Sequence, residues 1–153
     1  MTKRRGDAYY RFFGTLGNSR LMTRIHPVAY RLTGGRGIIG HTLGMLNVVL
    51  ITTGRQSGQV REAPLLAIED GERIVIVASK NGSDREPGWV WNLRADPEAK
   101  VRVGSSVREV RAYEAEGDER DRLWALAVDA YRGYDLYQRK TTRRIPVIVL
   151  EPR

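Results

Sequence analysis

The sequence predicts a mainly β domain of the α+β class, a small barrel of about six strands with helices at its periphery. Three observations predict it. Short apolar runs recur from Leu46 to the C-terminus, turn residues separate them at hairpin spacing, and helical periodicity is confined to a few short stretches. An open meander would leave exposed edges, which closure removes.

Each element has a local reason. Ser19 can cap a helix that Gly34 stops, and Leu21, Met22, Ile25, Val28, Ala29 and Leu32 recur between them at helical spacing. Arg20, Arg24 and Arg31 lie among these, so the helix is amphipathic and basic. A glycine-rich connector, Gly34 to Gly44, follows. Residues 1–45 thus read as a basic helical segment with its connector, and residues 46–153 as the barrel. Strands are expected at Leu46–Thr53, Val60–Glu69 and Arg73–Ser79, the last two joined by the hairpin signal Asp70-Gly71. Asn81 to Pro87 reads as a polar loop. Trp89 to Ala95 reads as a short helix ended at Asp96-Pro97, because the residue before a proline is pushed out of helical backbone. A second hairpin covers Ala99–Val103 and Val107–Ala115. Asp118 can cap a helix through Tyr131 with the apolar stripe Leu123, Trp124, Ala127, Val128 and Tyr131, and Ile145–Leu150 is the final strand.

Composition narrows the chemistry. At 153 residues the chain has the size of one domain, and with no cysteine it has no disulfide, thiolate metal site or thiol catalysis. Net charge +8 favours an anionic partner: nucleic acid, a lipid surface or a phosphorylated small molecule. The opening Met-Thr-Lys-Arg-Arg leads into no apolar stretch of signal or membrane-spanning length, so a cytoplasmic location is expected.

Several motifs fail on context. Gly35-Arg-Gly-Ile-Ile-Gly40 fits the dinucleotide fingerprint by letter, and Gly35 to Thr42 nearly fits a P-loop, yet a predicted helix precedes them and a strand follows, the reverse of what phosphate binding needs. Asn81-Gly-Ser83 matches a glycosylation site but has no secretory context. His26 and His41 have no clustered carboxylates beside them, so no metal is expected. Ser57 and Ser79 lie in no nucleophile elbow, which argues against a hydrolase. Glu114, Glu116, Asp118 and Glu119 read as a solvated, helix-capping cluster.

The stretch Thr52-Thr-Gly-Arg-Gln-Ser-Gly58 carries more. A glycine-bounded turn with Arg55, Ser57 and Arg61 close by can grip phosphate or carboxylate oxygens; the alternative is a solvated basic turn. Two further stretches could join it in a barrel: Ala78-Ser-Lys-Asn-Gly82 and Pro87-Gly-Trp-Val-Trp-Asn-Leu93. They add donors, small residues and flat aromatic surface.

With Ala63-Pro-Leu65, Val77-Ala-Ser-Lys80, Ala95-Asp-Pro97, Tyr131-Arg-Gly-Tyr-Asp-Leu-Tyr-Gln138 and Arg144-Ile-Pro-Val147, these stretches resemble the deazaflavin-dependent nitroreductase family from about Leu21 to the C-terminus. That family consists of split β-barrel oxidoreductases, related in fold to FMN-binding proteins, that use the reduced deazaflavin coenzyme F420. The resemblance implies that Arg55, Gln56, Ser57, Gly58 and Arg61 contact the coenzyme's phosphate and acidic tail. It further implies that Pro64, Leu65, Ala78, Ser79, Lys80, Asn81 and Gly82 hold the ring system, with Trp89 and Asn92 completing the pocket. The acceptor is expected beside Leu66, Trp89 and the tyrosines Tyr131, Tyr134 and Tyr137, the catalytic candidates, which would share one side if that segment is helical; the alternative is aromatic packing on the barrel. Gln56 stands where relatives often have lysine, and Leu66 where some nitroimidazole reducers carry an aromatic residue.

The implied reaction is hydride transfer from reduced F420 to a quinone, nitroaromatic or other conjugated, electron-poor acceptor. Two alternatives stay open: an FMN-dependent oxidoreductase on the same barrel, and a non-enzymatic basic binding protein. Nucleic acid is not the expected partner, since the arginines lack an aromatic-interleaved reader surface. A small-molecule acceptor is expected, with an anionic membrane surface as a candidate partner of Ser19 to Leu32. Monomer and homodimer are both open.

Overall fold

A computed structural model describes residues 45–153. The expectations for the basic helix, the glycine connector and the two histidines lie outside the described residues.

Six antiparallel strands close into a barrel in the order β1-β2-β3-β6-β5-β4. They are β1 (Leu46–Thr53), β2 (Val60–Asp70), β3 (Arg73–Val77), β4 (Glu98–Val103), β5 (Ser106–Glu114) and β6 (Val147–Pro152). The helices are α1 (Gly88–Ala95), α2 (Gly117–Ala130) and α3 (Gly133–Lys140), with one 3-10 turn at Lys80–Gly82. This is the expected architecture, a split barrel with peripheral helices.

Period-two alternation sorts the strands' side chains onto two cores. Val48 and Leu50 of β1, Ile74 and Ile76 of β3, and Ile148 and Leu150 of β6 point into the barrel, where Trp89, Val90 and Leu93 of α1 join them. Their neighbours Val75, Val77, Val147 and Val149 point outward and pack with α2 and α3, through Leu123, Ala127, Tyr134 and Tyr137. Strand β3 is therefore apolar on both faces, and its run Ile74 to Val77 is wholly buried.

Both tight hairpins turn on glycine. Asp70 pairs with Arg73 and Val103 with Ser106, leaving two-residue loops whose first members, Gly71 (φ 65°) and Gly104 (φ 60°), are left-handed, as a type II′ turn requires.

Four details depart from expectation. The third strand stops at Val77, because Ser79 is already helical and Lys80 left-handed. The last strand starts at Val147, after Pro146, which has no N–H to give to a ladder. Asp118 is not the cap: it sits in the first turn of α2, behind Glu116. The acidic cluster is tied in half: Glu116 and Asp118 are exposed at the start of α2, whereas Glu119 accepts from Arg73 Nη1 at 2.9 Å and Tyr113 Oη at 3.0 Å, and Glu114 from Arg94 Nη2 at 3.1 Å.

Candidate functional site

The chain leaves β1 through a turn that only glycine can start. A Cβ on Gly54 would lie 2.8 Å from Ser57 Oγ and 3.1 Å from the Gln59 carbonyl. The Gly54 N–H donates to the Gln59 carbonyl at 2.7 Å, and the Gly58 N–H, at a left-handed residue (φ 67°), donates back to the Gly54 carbonyl at 2.7 Å. Ser57 Oγ then accepts from the Gln59 N–H at 3.3 Å and from Arg61 Nη2 at 3.2 Å, so the hydroxyl aims one guanidinium.

Helix α1 fixes this turn from the side. Asn92 Oδ1 accepts the Arg55 N–H at 3.1 Å, while Asn92 Nδ2 donates to Thr52 Oγ1 at 3.1 Å. One amide thus ties the strand end, the turn and the helix. Beside it, the exposed ring of Trp91 lies under two guanidiniums, Arg94 at 4.9 Å and Arg55 at 5.8 Å. Arg94 is held by Glu86 at 2.6 Å and Glu114 at 3.1 Å, and the Glu86 hydrogen bond, with that of Glu114, raises its proton affinity against the cost of burial.

Between turn and helix opens a cleft of about 400 Å³. Of the residues expected to hold a coenzyme, Arg55, Gln56, Ser57, Arg61, Trp89 and Asn92 line it. Gly58 shapes the turn behind them. Thr52, Glu62, Ala63 and Gly88 line it too, although the sequence reading gave none of them a role of its own. The donor set of two guanidiniums, a hydroxyl and a primary amide suits a phosphate or carboxylate group, and Trp89 borders it with apolar surface.

The other expected residues stand outside this cleft. Pro64 and Leu65 continue β2, half-buried, and Leu65 packs on the barrel interior. Ala78 and Ser79 are buried below the Lys80–Gly82 turn, in which Lys80 (φ 44°), Asn81 (φ 56°) and Gly82 (φ 78°) are all left-handed. Gly82 is pressed on α3, where a Cβ would meet the Tyr137 carbonyl at 2.7 Å. Leu66 packs with Tyr131, Tyr134 and Tyr137 in the outer core, whereas Trp89 belongs to the barrel interior, so the single slot expected from all five is divided. Within the trio, Tyr131 and Tyr134 meet edge to face at 5.2 Å and the Tyr131 and Tyr137 hydroxyls bond at 3.1 Å. Burial first, then the nearby Tyr137, pushes the Tyr134 hydroxyl well above the usual phenol range.

Comparison with known proteins agrees with this architecture. A family profile described as F420H(2)-dependent quinone reductase matches residues 22–152. An F420H(2)-dependent quinone reductase of Mycobacterium tuberculosis is 38% identical over 137 residues, covering 86% of this chain and 91% of the relative. A solved F420-H2 dependent reductase is 42% identical with a TM-score of 0.64, over 69% of this chain and 93% of its own. Another solved structure, described as a domain-swapped dimer, is 35% identical with a TM-score of 0.67, over 84% of this chain and 97% of its own. From the extent of these matches, the chain belongs to the F420H(2)-dependent quinone reductase family, oxidoreductases that use reduced F420.

Proposed function

We propose that this chain reduces a quinone-class acceptor with reduced F420, and that the turn from Gly54 to Arg61 holds the coenzyme's acidic, phosphorylated tail. The supporting observation is the turn itself: two cationic forks on one cleft, one aimed by Ser57 and the whole tied to α1 by Asn92. When bound, reduced F420 supplies a hydride, so the chain's own work is to bind, orient and exclude water rather than to shuttle protons. The coenzyme's ring system is assigned to Pro64, Leu65 and Ala78 to Gly82. The acceptor is assigned to the side of Leu66 and the tyrosines. The reading extends to a cytoplasmic protein peripheral on an anionic membrane through Ser19 to Leu32. The relative solved as a domain-swapped dimer supports a homodimer here, which sedimentation velocity reads directly.

Parallel titrations with F420, FMN and NADPH test the coenzyme, following each chromophore. F420 is expected to bind. Arg55→Ala and Arg61→Ala should each weaken it by about 1.5–3 kcal/mol, the scale of a charge-assisted hydrogen bond. Wild-type affinity in both variants removes the tail from this turn, and binding of FMN in place of F420 overturns the coenzyme.

A further inference from the structure

Arg143 reaches across more than sixty residues of sequence to the turn that follows β3. Its Nε donates to the Ser83 carbonyl at 2.7 Å, and its Nη2 donates to the Ala78 and Ser79 carbonyls, each at 3.0 Å. One guanidinium therefore gathers three carbonyls from both sides of the left-handed Lys80–Gly82 turn. Arg143 is itself fixed: its carbonyl accepts from Gln138 Nε2 at 2.8 Å, and Gln138 Oε1 accepts the Ile145 N–H at 3.0 Å. Nearby, Thr141 Oγ1 donates to Asp84 Oδ1 at 2.7 Å, closing the far end of the loop.

The consequence lies on the opposite side of the backbone. In a planar trans peptide the N–H points away from the C=O. With the Ala78 and Ser79 carbonyls both turned to Arg143, the N–H groups of Ser79 and Lys80 point away from it, side by side. A right-handed residue (Ser79, φ −71°, ψ −39°) followed by a left-handed one (Lys80) is the backbone alternation that makes successive N–H groups converge on an acceptor. Neither N–H has a hydrogen-bond partner among the described residues. Fold stability alone explains the arrangement poorly. It keeps two non-glycine residues left-handed, and it leaves Arg143 Nη1 buried with no hydrogen bond among the described residues.

We infer that Arg143 is a positioning residue of the coenzyme site, which, by gathering these carbonyls, presents the Ser79 and Lys80 N–H groups as a paired donor to a carbonyl oxygen of the bound deazaflavin ring. This rests on the assignment of Ala78 to Gly82 to the coenzyme's ring system. The arginine touches neither coenzyme nor acceptor; it acts through the turn.

The test compares wild type, Arg143→Met and Arg143→Lys by fluorescence titration with F420, thermal unfolding, and amide hydrogen exchange at Ser79 and Lys80 with and without F420. Arg143→Met should bind F420 about tenfold or more weakly, as expected for losing hydrogen bonds to a ring oxygen. Its KM for reduced F420 should rise while KM for the quinone stays, and F420 should no longer slow exchange at Ser79 and Lys80. Arg143→Lys, which keeps the charge but loses the fork, should fall between. Where Arg143→Met does not fold, a weakened F420 affinity in folded Arg143→Lys supports the role and an unchanged one overturns it. Wild-type F420 affinity in a variant that only melts earlier makes Arg143 structural and leaves the coenzyme reading intact. Failure of the wild type to bind F420 at all overturns both.

Discussion

Tyr134 is the member of its trio whose hydroxyl lies outside the Tyr131–Tyr137 pair, and it is only 5% exposed. Because burial pushes that hydroxyl upward, it keeps its proton at any working pH and so remains able to donate. A donor in a water-poor setting stabilises an oxygen that gains negative charge as hydride arrives more than it stabilises the resting carbonyl. Tyr134→Phe should therefore lower kcat for a menaquinone analogue by about ten- to a hundredfold, roughly 1.4–2.7 kcal/mol, with F420 affinity unchanged. An unchanged kcat with a lower Tm assigns the ring to packing. How legible such residues were depends on what they bond. The Gly-Arg-x-Ser-Gly turn could be read as a candidate anion grip because its glycines, serine and arginines are close in sequence, although the choice over a solvated turn came only with the family resemblance. Arg143 could not, since its partners are main-chain carbonyls of Ala78, Ser79 and Ser83, which leave no mark in the side-chain sequence. Thr52 and Gly88 stood in the quoted stretches without a role for a similar reason: only the docking of α1 on the end of β1 brings them to one cleft.

Among the elements, β1 was legible to the residue and the hairpins nearly so, because alternation and left-handed glycines are local signals. Helix α3 was legible only in part: the tyrosine spacing suggested one helical side for all three, but Tyr131 caps the end of α2 and the new helix starts at Gly133. In the fold that glycine is a concession to packing: a Cβ there would meet the Tyr131 ring at 2.3 Å. The β2–β3 hairpin is also tied to α2, which no local signal announces. Asp70 accepts from Arg122 Nη1 at 2.9 Å and Nη2 at 3.0 Å and also from Arg73, whose Nη1 reaches Glu119 at 2.9 Å. The Arg122 hydrogen bonds, followed by those of Arg73, outweigh burial and hold the Asp70 carboxyl far below the usual range. A carboxyl with a depressed folded pKa adds stability above its unfolded pKa and loses it as the pH falls toward the folded value. Asp70→Asn should thus cost about 1–2 kcal/mol at neutral pH, toward the low end because Arg122 is half-exposed and screened. Denaturant unfolding should show a constant gap above about pH 5 that narrows below about pH 4. A gap that stays flat down to about pH 2.5 would mean that the carboxylate's charge is not what ties hairpin to helix.

Over the whole molecule, charge is divided far more unevenly than the total suggests. Residues 1–44 hold eight of the 26 basic residues and one of the 18 acidic ones, so +7 of the net +8 falls there, and the remaining residues, 45–153, carry only +1. The barrel's arginines are largely matched by its own carboxylates, as the pairs at Asp70, Glu86, Glu98 and Glu114 show. Any long-range attraction to an anionic surface must then come from the N-terminal stretch, where Arg20, Arg24 and Arg31 accompany an apolar stripe. Each such charge near an anionic leaflet contributes about 1 kcal/mol, and the attraction decays within a Debye length of about 10 Å at 0.1 M salt. The full chain should therefore float with vesicles containing anionic lipid at low salt, ignore neutral vesicles, and be released by about 1 M salt. A full-length Arg20→Gln, Arg24→Gln, Arg31→Gln variant should bind the anionic vesicles about a hundredfold more weakly while keeping its F420 affinity, because the coenzyme cleft lies in the neutral barrel. Should the wild type ignore anionic vesicles at low salt, or the triple variant float equally well, the charge serves another partner and the quinone must reach the barrel from solution.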